Sequence, residues 1–571
     1  MAPPRRAGLA VSAALAASAA AAAVTVPPRV IVTIIVDDLG WNNVGWHMSK
    51  VDPTGALGGV GPESATPHLN GLAADGVVLN RHYSHFTCTP SRSSFMTGRL
   101  PMHVQQTLAN PDKPTAGIPR NMTALPLKLR EANFTSHIAG KWDLGFSTPE
   151  HTPEGRGYNS SLVYAEHMNF YWTQRICPTG TSCNMSEYAW LTDLWDSGAG
   201  SRRNGTDYIE ALFAERLLAV VAAHDLDADG PLHLDYRPHV AHWPLQVPEE
   251  WYARFPGVRD DEAACGDDIP HVWPGANRSV LACRRQYIAM VALMDEVVGN
   301  LTGALRARGW WDETLLLLTS DNGGSIATRE SAGSNYPMRG GKYDPLEGGV
   351  RVAAFVAGGY LPAAVRGSVL EAPVHIADWY ATLCGLVGVD PTDARAAAAQ
   401  PPLPPIDSLD VWPLLSGANA TSPRDAWPIA ANVAVRFEYA AAAGGGGAGG
   451  SGAPTHGWKL VTGVVPQNAG WQGPVYPNAS SPASDPSAVA LNCSASPCLF
   501  DVVADPTEHV DLAALRPDVV ARLQADLAAY APAFFSNSDS GVDVCPPGTG
   551  GDCACWAAAH VWGGYLGPWQ R

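Results

Sequence analysis

The chain has 571 residues, enough for one large domain and a smaller one, because single cores usually stop growing at a few hundred residues. Its 54 acidic and 37 basic residues give a formal charge of -17, and no run of consecutive Lys or Arg longer than a pair occurs, which argues against a nucleic-acid partner. An anionic substrate would have to be drawn by a local basic cluster against that field.

Arg5-Arg6 and the alanine-rich run from Ala7 to Val24 read as a secretory signal peptide over residues 1–24. The alternative is an uncleaved signal anchor, although alanine is weakly apolar and the run is marginal in length for a span. No second apolar run of spanning length is evident, so no stable membrane anchor is expected. Val30 to Val36 (VIVTIIV) is a β-branched run suited to a strand buried on both faces, ended by Asp37-Asp38 and Gly40. Tyr287, Val291, Met294, Val298, Leu301 and Leu305 recur at four- and three-residue steps, which predicts an amphipathic helix stopped by Gly309. A second buried strand follows at Leu315 to Leu318 and ends in Thr319-Ser320-Asp321-Asn322-Gly323-Gly324. Helix, buried strand and polar tip form an α/β unit. Ligands of open α/β sheets gather at the carboxyl ends of strands, so Asp37, Asp38, Asp321 and Asn322 could share one rim. Past residue 400 prolines accumulate, residues 440–454 form a Gly-rich low-complexity loop, and Trp458 to Val461 and Cys498 to Val503 read as strands. With a helix over Val519 to Ala529, this predicts a smaller α+β domain over 421–571, behind a large α/β domain over 28–420.

Two counts support export. Sequons stand at Asn121, Asn133, Asn159, Asn184, Asn204, Asn277, Asn300, Asn419, Asn478 and Asn492. Of the 11 cysteines, setting Cys88 aside leaves an even number suited to disulfides, with Cys177 and Cys183 closing one short loop and Cys493 and Cys498 another.

Carboxylates gathered on one rim repel, so Asp37, Asp38 and Asp321 together imply a cation, and an all-oxygen set suits Ca²⁺ or Mg²⁺. The alternative is ordinary cap and turn residues. The segment Cys88-Thr89-Pro90-Ser91-Arg92, closed by Thr97-Gly98-Arg99, resembles the sulfatase signature C-x-P-S-R-x-x-x-[LM]-T-G-R at every defined position. Gly140-Lys141-Trp142 with Leu144-Gly145 resembles that family's G-K-W-H-L-G, His242-Trp243-Pro244 its H-x-P segment, and Lys342 before Glu347-Gly348-Gly349-Val350-Arg351 its later active-site lysine. Leu499-Phe500-Asp501, Asp505-Pro506 and Asp511-Leu512 resemble its small C-terminal domain. The match runs from about residue 29 to about residue 530, and looks closest to the arylsulfatase B-like branch, which acts on sulfated N-acetylgalactosamine.

The resemblance implies an alkaline phosphatase-like large domain with a mostly parallel sheet, and an antiparallel sheet in the small domain. It implies conversion of Cys88 to formylglycine by a formylglycine-generating enzyme, and one Ca²⁺ held by Asp37, Asp38, residue 88, Asp321 and Asn322. Arg92, Lys141 and Lys342 become a cationic clamp on the sulfate, with His242 or Lys342 as proton donor to the leaving oxygen. The substrate becomes a sulfated carbohydrate or aryl sulfate, met in the secretory pathway, outside the cell or in a lysosome-like or vacuolar lumen. One position departs: Asp143 stands where the family has the histidine commonly assigned as base for the second step. Asp143 is therefore either a working substitute, a mark of a different substrate pocket, or the sign of a slow or non-catalytic glycan-binding homologue. A phosphate or phosphonate hydrolase of the wider superfamily ranks last, because the chain offers no matched histidine-rich zinc set.

Overall fold

The computed structural model describes residues 26–51, 66–106, 117–176, 185–197, 199–200, 207–256, 258, 283–326, 332–440, 452–473, 489–535 and 553–570. The expected signal peptide, the Cys177–Cys183 loop, Cys265, Cys545, residues 441–451 of the Gly-rich loop and the sequons at Asn184, Asn204, Asn277 and Asn478 lie outside them.

Four strands carry the candidate site: β1 (Val30–Val36), β2 (Thr135–Lys141), β3 (Leu232–Arg237) and β4 (Thr314–Ser320). They lie side by side in the order β4-β1-β3-β2 within a 10-stranded sheet, and every pairing among them is parallel. The sheet centre is thus parallel as expected, while the strands Ala354–Ala357 and Trp195–Asp196 turn its flanks antiparallel. The alternation along β1 shows why its whole run is apolar: Val30, Val32, Ile34 and Val36 enter one core, and Ile31 and Ile35 the core on the opposite face. Helix α1 (Cys88–Thr97) covers the second face. The first is covered by α2 (Cys283–Ala307), whose periodic residues Tyr287 to Leu305 are buried as the spacing predicts. Helix α2 corrects the expectation that no second apolar run of spanning length follows the first: it is long and apolar enough to cross a membrane, yet most of it is buried in this core.

The small domain is a four-stranded antiparallel sheet of Ala426–Ala430, Val433–Glu438, His456–Val465 and Leu491–Asp501, with the helix Pro517–Tyr530 packed on it. The two strands read from sequence are longer than expected, because they pair from Trp458↔Asp501 through Val465↔Leu491 around a bulge near Gly463. Cys493 and Cys498 form the expected disulfide, with Cα atoms 5.5 Å apart. Cys384 corrects the expectation that every cysteine except Cys88 is paired. It is a free buried thiol on the helix Asp378–Leu386, packed among apolar residues as a small hydrophobe. Asn121, Asn133, Asn159, Asn300, Asn419 and Asn492 are exposed, as acceptor asparagines must be. The last described residues, 553–570, turn back to the large domain: Cys555, Ala558 and Leu566 share a cluster with Ile176, Tyr188 and Leu191, and Tyr565 bridges to Thr192.

Candidate active site

Parallel pairing of the four central strands delivers their C-terminal tips to one rim. Asp37 and Asp38 follow β1 and Asp321 and Asn322 follow β4, brought together by the register Val36↔Ser320. Lys141 ends β2, and His242 sits in the loop after β3. From the opposite side α1 presents its first residue, so that Cys88 Sγ lies 3.5 Å from Asp37 Oδ1. The amide-rich N-terminus of this ten-residue helix therefore faces the same place, which favours an anion there.

The acidic rim is matched almost one for one by buried cations. Arg92 Nε lies 2.9 Å from Asp321 Oδ2, with Nη2 2.8 Å from the same oxygen and 3.6 Å from Asp37 Oδ1. Lys141 Nζ donates to Asp37 Oδ2 at 2.8 Å, and Lys342 Nζ to Asp38 Oδ2 at 2.8 Å. Burial opposes these three charges, but the carboxylates outweigh it and hold all three cations protonated above their ordinary range. Asp321 is raised as well, which for a carboxyl disfavours the charged form, because desolvation exceeds the help from Arg92. Burial, reinforced by Lys342 and Lys141, drives His242 well below the ordinary imidazole range, so it is neutral. Its Nδ1 faces the Trp243 carbonyl, an acceptor only, so Nδ1 carries the hydrogen and Nε2, 3.7 Å from Asp38 Oδ2, carries the lone pair.

The signature now resolves into separate jobs. Arg92 is the member that reaches the carboxylates. Ser91 Oγ accepts from His85 N at 2.9 Å and fixes the turn into α1, whereas Arg99 bonds Asp393 at 2.9 Å and Pro404 O at 2.7 Å, away from the rim. Gly98 ends α1 at φ 66°, where a Cβ would stand 2.8 Å from the Tyr380 ring. Position 143 also has positive φ, 52°, a region that Asp, Asn and His enter more readily than other side chains. Asp143 touches Thr89 rather than Cys88: Thr89 Oγ1 donates to Asp143 Oδ1 at 2.8 Å, and His167 Nδ1 meets the same oxygen at 2.8 Å. Asp143 Oδ2 lies 3.9 Å from Lys141 Nζ and is buried with no hydrogen-bond partner among the described residues. Burial raises the pKa of this carboxyl, but His167 and Lys141 together bring it below the ordinary aspartate range. Thr89 and His167 escaped the sequence reading, Thr89 because its signature position is variable, His167 because it belongs to no motif.

The donor set can hold a divalent cation. The donor atoms of Asp37, Asp38, Cys88 and His242 all lie within 4.8 Å of one another. Asn322 Nδ2 donates to Asp38 Oδ1 at 2.7 Å, while its Oδ1 is buried without a hydrogen-bond partner among the described residues, an amide oxygen of the kind calcium takes.

The family profile described as Sulfatase matches residues 29–389, which span β1, α1 and the whole rim. The chain belongs to the sulfatase family. It is 30% identical to arylsulfatase J of Mus musculus over 510 residues, covering 88% of this chain and 75% of that one. With arylsulfatase A of Homo sapiens it shares 28% over 443 residues, 74% of this chain and 73% of the relative. Among solved structures, Ps i-CgsB in complex with k-i-k-neocarrahexaose superposes with a TM-score of 0.64 at 22% identity, over 90% of this chain and 94% of that chain. The alkaline phosphatase-like fold and the activity class, hydrolysis of sulfuric esters, follow for this sulfatase, and its hydrolase relatives do not favour the reading of a non-catalytic glycan binder.

Proposed function

We propose that this sulfatase releases inorganic sulfate from sulfated sugars or aryl sulfates through formylglycine made from Cys88. Curated relatives named arylsulfatase and N-acetylgalactosamine-6-sulfatase support a substrate of that class, and the sequence segments noted above favour an N-acetylgalactosamine-4-sulfate-like ester. The observation that carries the mechanism is the state of residue 88. As a thiol it is buried and pushed well above its ordinary range, mainly by desolvation, which leaves little thiolate for attack. Yet it stands at a helix N-terminus among Lys141, Lys342 and Arg92, where an oxygen nucleophile and an anionic ester would both be stabilised. An aldehyde hydrate at position 88 supplies two geminal hydroxyls, one to take the sulfuryl group and one whose deprotonation expels sulfate by C–O cleavage.

Asp37, Asp38, Asp321 and Asn322, with the oxygen of residue 88, would hold Ca²⁺, which supplies charge neutralisation at the sulfate oxygens. Arg92, Lys141 and Lys342 bind and orient the anionic group. Lys342 carries its proton in the resting site whereas His242 Nε2 does not, so Lys342 is the better placed of the two to protonate the leaving oxygen. The proton lost by the attacking hydroxyl restores that donor. Asp143 takes the proton of the second hydroxyl and passes it to solvent, so each turnover consumes one water and delivers alcohol, sulfate and one proton. Export through the secretory pathway, where the formylglycine-generating enzyme acts, completes this reading.

The test is sulfate release from 4-nitrophenyl sulfate by the secreted protein and by Cys88→Ala, together with mass spectrometry of the peptide containing residue 88. Activity abolished by the substitution and an aldehyde mass in the wild-type peptide are expected. An unmodified thiol throughout an active preparation would overturn the mechanism.

A further inference from the structure

The family histidine is missing from position 143, but an imidazole is present one hydrogen bond away. Asp143 stands two residues past the end of β2, and His167 three residues past the end of the neighbouring strand Ser160–Tyr164. Those strands pair in parallel with Lys141 opposite Tyr164, so residues 24 apart in sequence are placed side by side just beyond the rim. The turn carrying His167 is pinned from behind, because Asp193 accepts from the amides of Ala165 at 2.7 Å and Glu166 at 2.9 Å. Asp143 is fully buried and His167 nearly so, which makes their hydrogen bond dry and directional.

We propose that His167 is the positioning residue of the second step, supplying from the neighbouring strand the imidazole that position 143 lacks. An ionised carboxylate only accepts hydrogen bonds, so His167 Nδ1–H and Thr89 Oγ1–H both donate to Oδ1 and fix the plane of the carboxylate. Oδ2 is thereby left on the Lys141 side, next to the ammonium that also holds Asp37, as the oxygen to take the hydroxyl proton. The pair reverses the usual order of an acid–imidazole couple: the carboxylate stands forward and the imidazole behind it. This inference rests on the reading of Asp143 as the base.

The experiment measures kcat, KM and the kcat–pH profile on 4-nitrophenyl sulfate for wild type, His167→Ala, His167→Asn, Asp143→His, and the exchange Asp143→His with His167→Asp, each with its thermal unfolding curve. His167→Ala is expected to lower kcat about tenfold or more with KM within about threefold. Its acid limb should move to higher pH, since a carboxylate that loses a donated hydrogen bond becomes more basic. Asn keeps an N–H near the place of Nδ1 and should recover most of the loss in kcat. The exchange, which restores an acid–imidazole couple in the opposite order, should be more active than Asp143→His alone, which sets two imidazoles against each other. Folded His167→Ala with wild-type kcat and an unmoved acid limb would overturn the proposal. So would an exchange no better than the single variant, and this outcome reads independently if the alanine variant does not fold. A wild-type protein that releases no sulfate would instead overturn the functional reading beneath it.

Discussion

At the scale of single residues, the signature that looks like one motif is two kinds of requirement interleaved. Arg92 and residue 88 answer to chemistry, whereas Gly98 answers to backbone geometry and to the Tyr380 ring. Gly98→Ala is expected to destabilise the protein by about 1–3 kcal/mol, since it combines a left-handed φ with a contact that must shift. Gly71, inside the helix Pro67–Asp75 with nothing near its missing Cβ, is the control: Gly71→Ala should stabilise by about 0.4–1 kcal/mol. Paired thermal unfolding curves decide both. The same distinction explains what could be read in advance. Asp37, Asp38, Arg92, Lys141, Lys342 and His242 could be singled out because each sits in a recognisable motif, four of them at a strand end or in the first turns of a helix and Lys342 and His242 in loops. His167 was not, because its partner is set by strand pairing, and one sequence does not reveal which strands lie together. Cys384 was misjudged for a related reason: parity of cysteines says nothing about which thiol a core encloses.

At the scale of elements, loops that bear site residues are held by groups behind them. The loop after β3 leads to His242, and its amides at His239 and Val240 donate to Glu210 Oε1, on the helix Ile209–Ala223, at 2.6 and 3.2 Å. Desolvation raises Glu210 from the ordinary 4.5 to about 7, although Tyr236 and these two amides oppose it. A carboxyl whose folded pKa is raised contributes stability that is complete below pH 4.5 and is lost as pH rises through about 7. Glu210→Gln removes that titration while keeping an acceptor for both amides. Its stability by urea denaturation should therefore fall less than wild type between pH 5 and pH 8, and equal slopes would refute the assignment. The elements themselves were the most legible part of the fold. VIVTIIV and the period of Tyr287 to Leu305 gave β1 and α2 because burial on both faces and burial on one face leave different patterns. Ser160–Tyr164 and Leu232–Arg237 carry Ser, His, Asp and Arg inside the sheet, so polarity hid them.

At the scale of the whole molecule, the cationic site is set in a chain of formal charge -17. The buried cations are largely cancelled by neighbouring carboxylates, so at long range an approaching polyanion meets the negative field. For a polysulfated oligosaccharide, kcat/KM should rise as salt increases from about 0.01 to about 0.15 M, while the monoanion 4-nitrophenyl sulfate changes much less. Parallel or absent salt responses would show that the mouth of the site has its own field. The small domain also reaches the chemistry. Asn468 bonds the Lys342 carbonyl at 2.9 Å, Gly470 O accepts from Gly340, and buried Lys459 joins Glu347 at 2.7 Å to Glu508 at 3.0 Å. The segment presenting Lys342 is thus shaped from the far side of the domain boundary. The return of residues 553–570 to Ile176, Leu191 and Trp195 adds a further constraint. A domain appended to the end of a chain hangs by one tether, but this one is moored at both. Its undocking would have to stretch or peel a closed loop, so the effective concentration that keeps it seated is set by two anchors, and releasing the tail alone should loosen the hold on Lys342 from a distance.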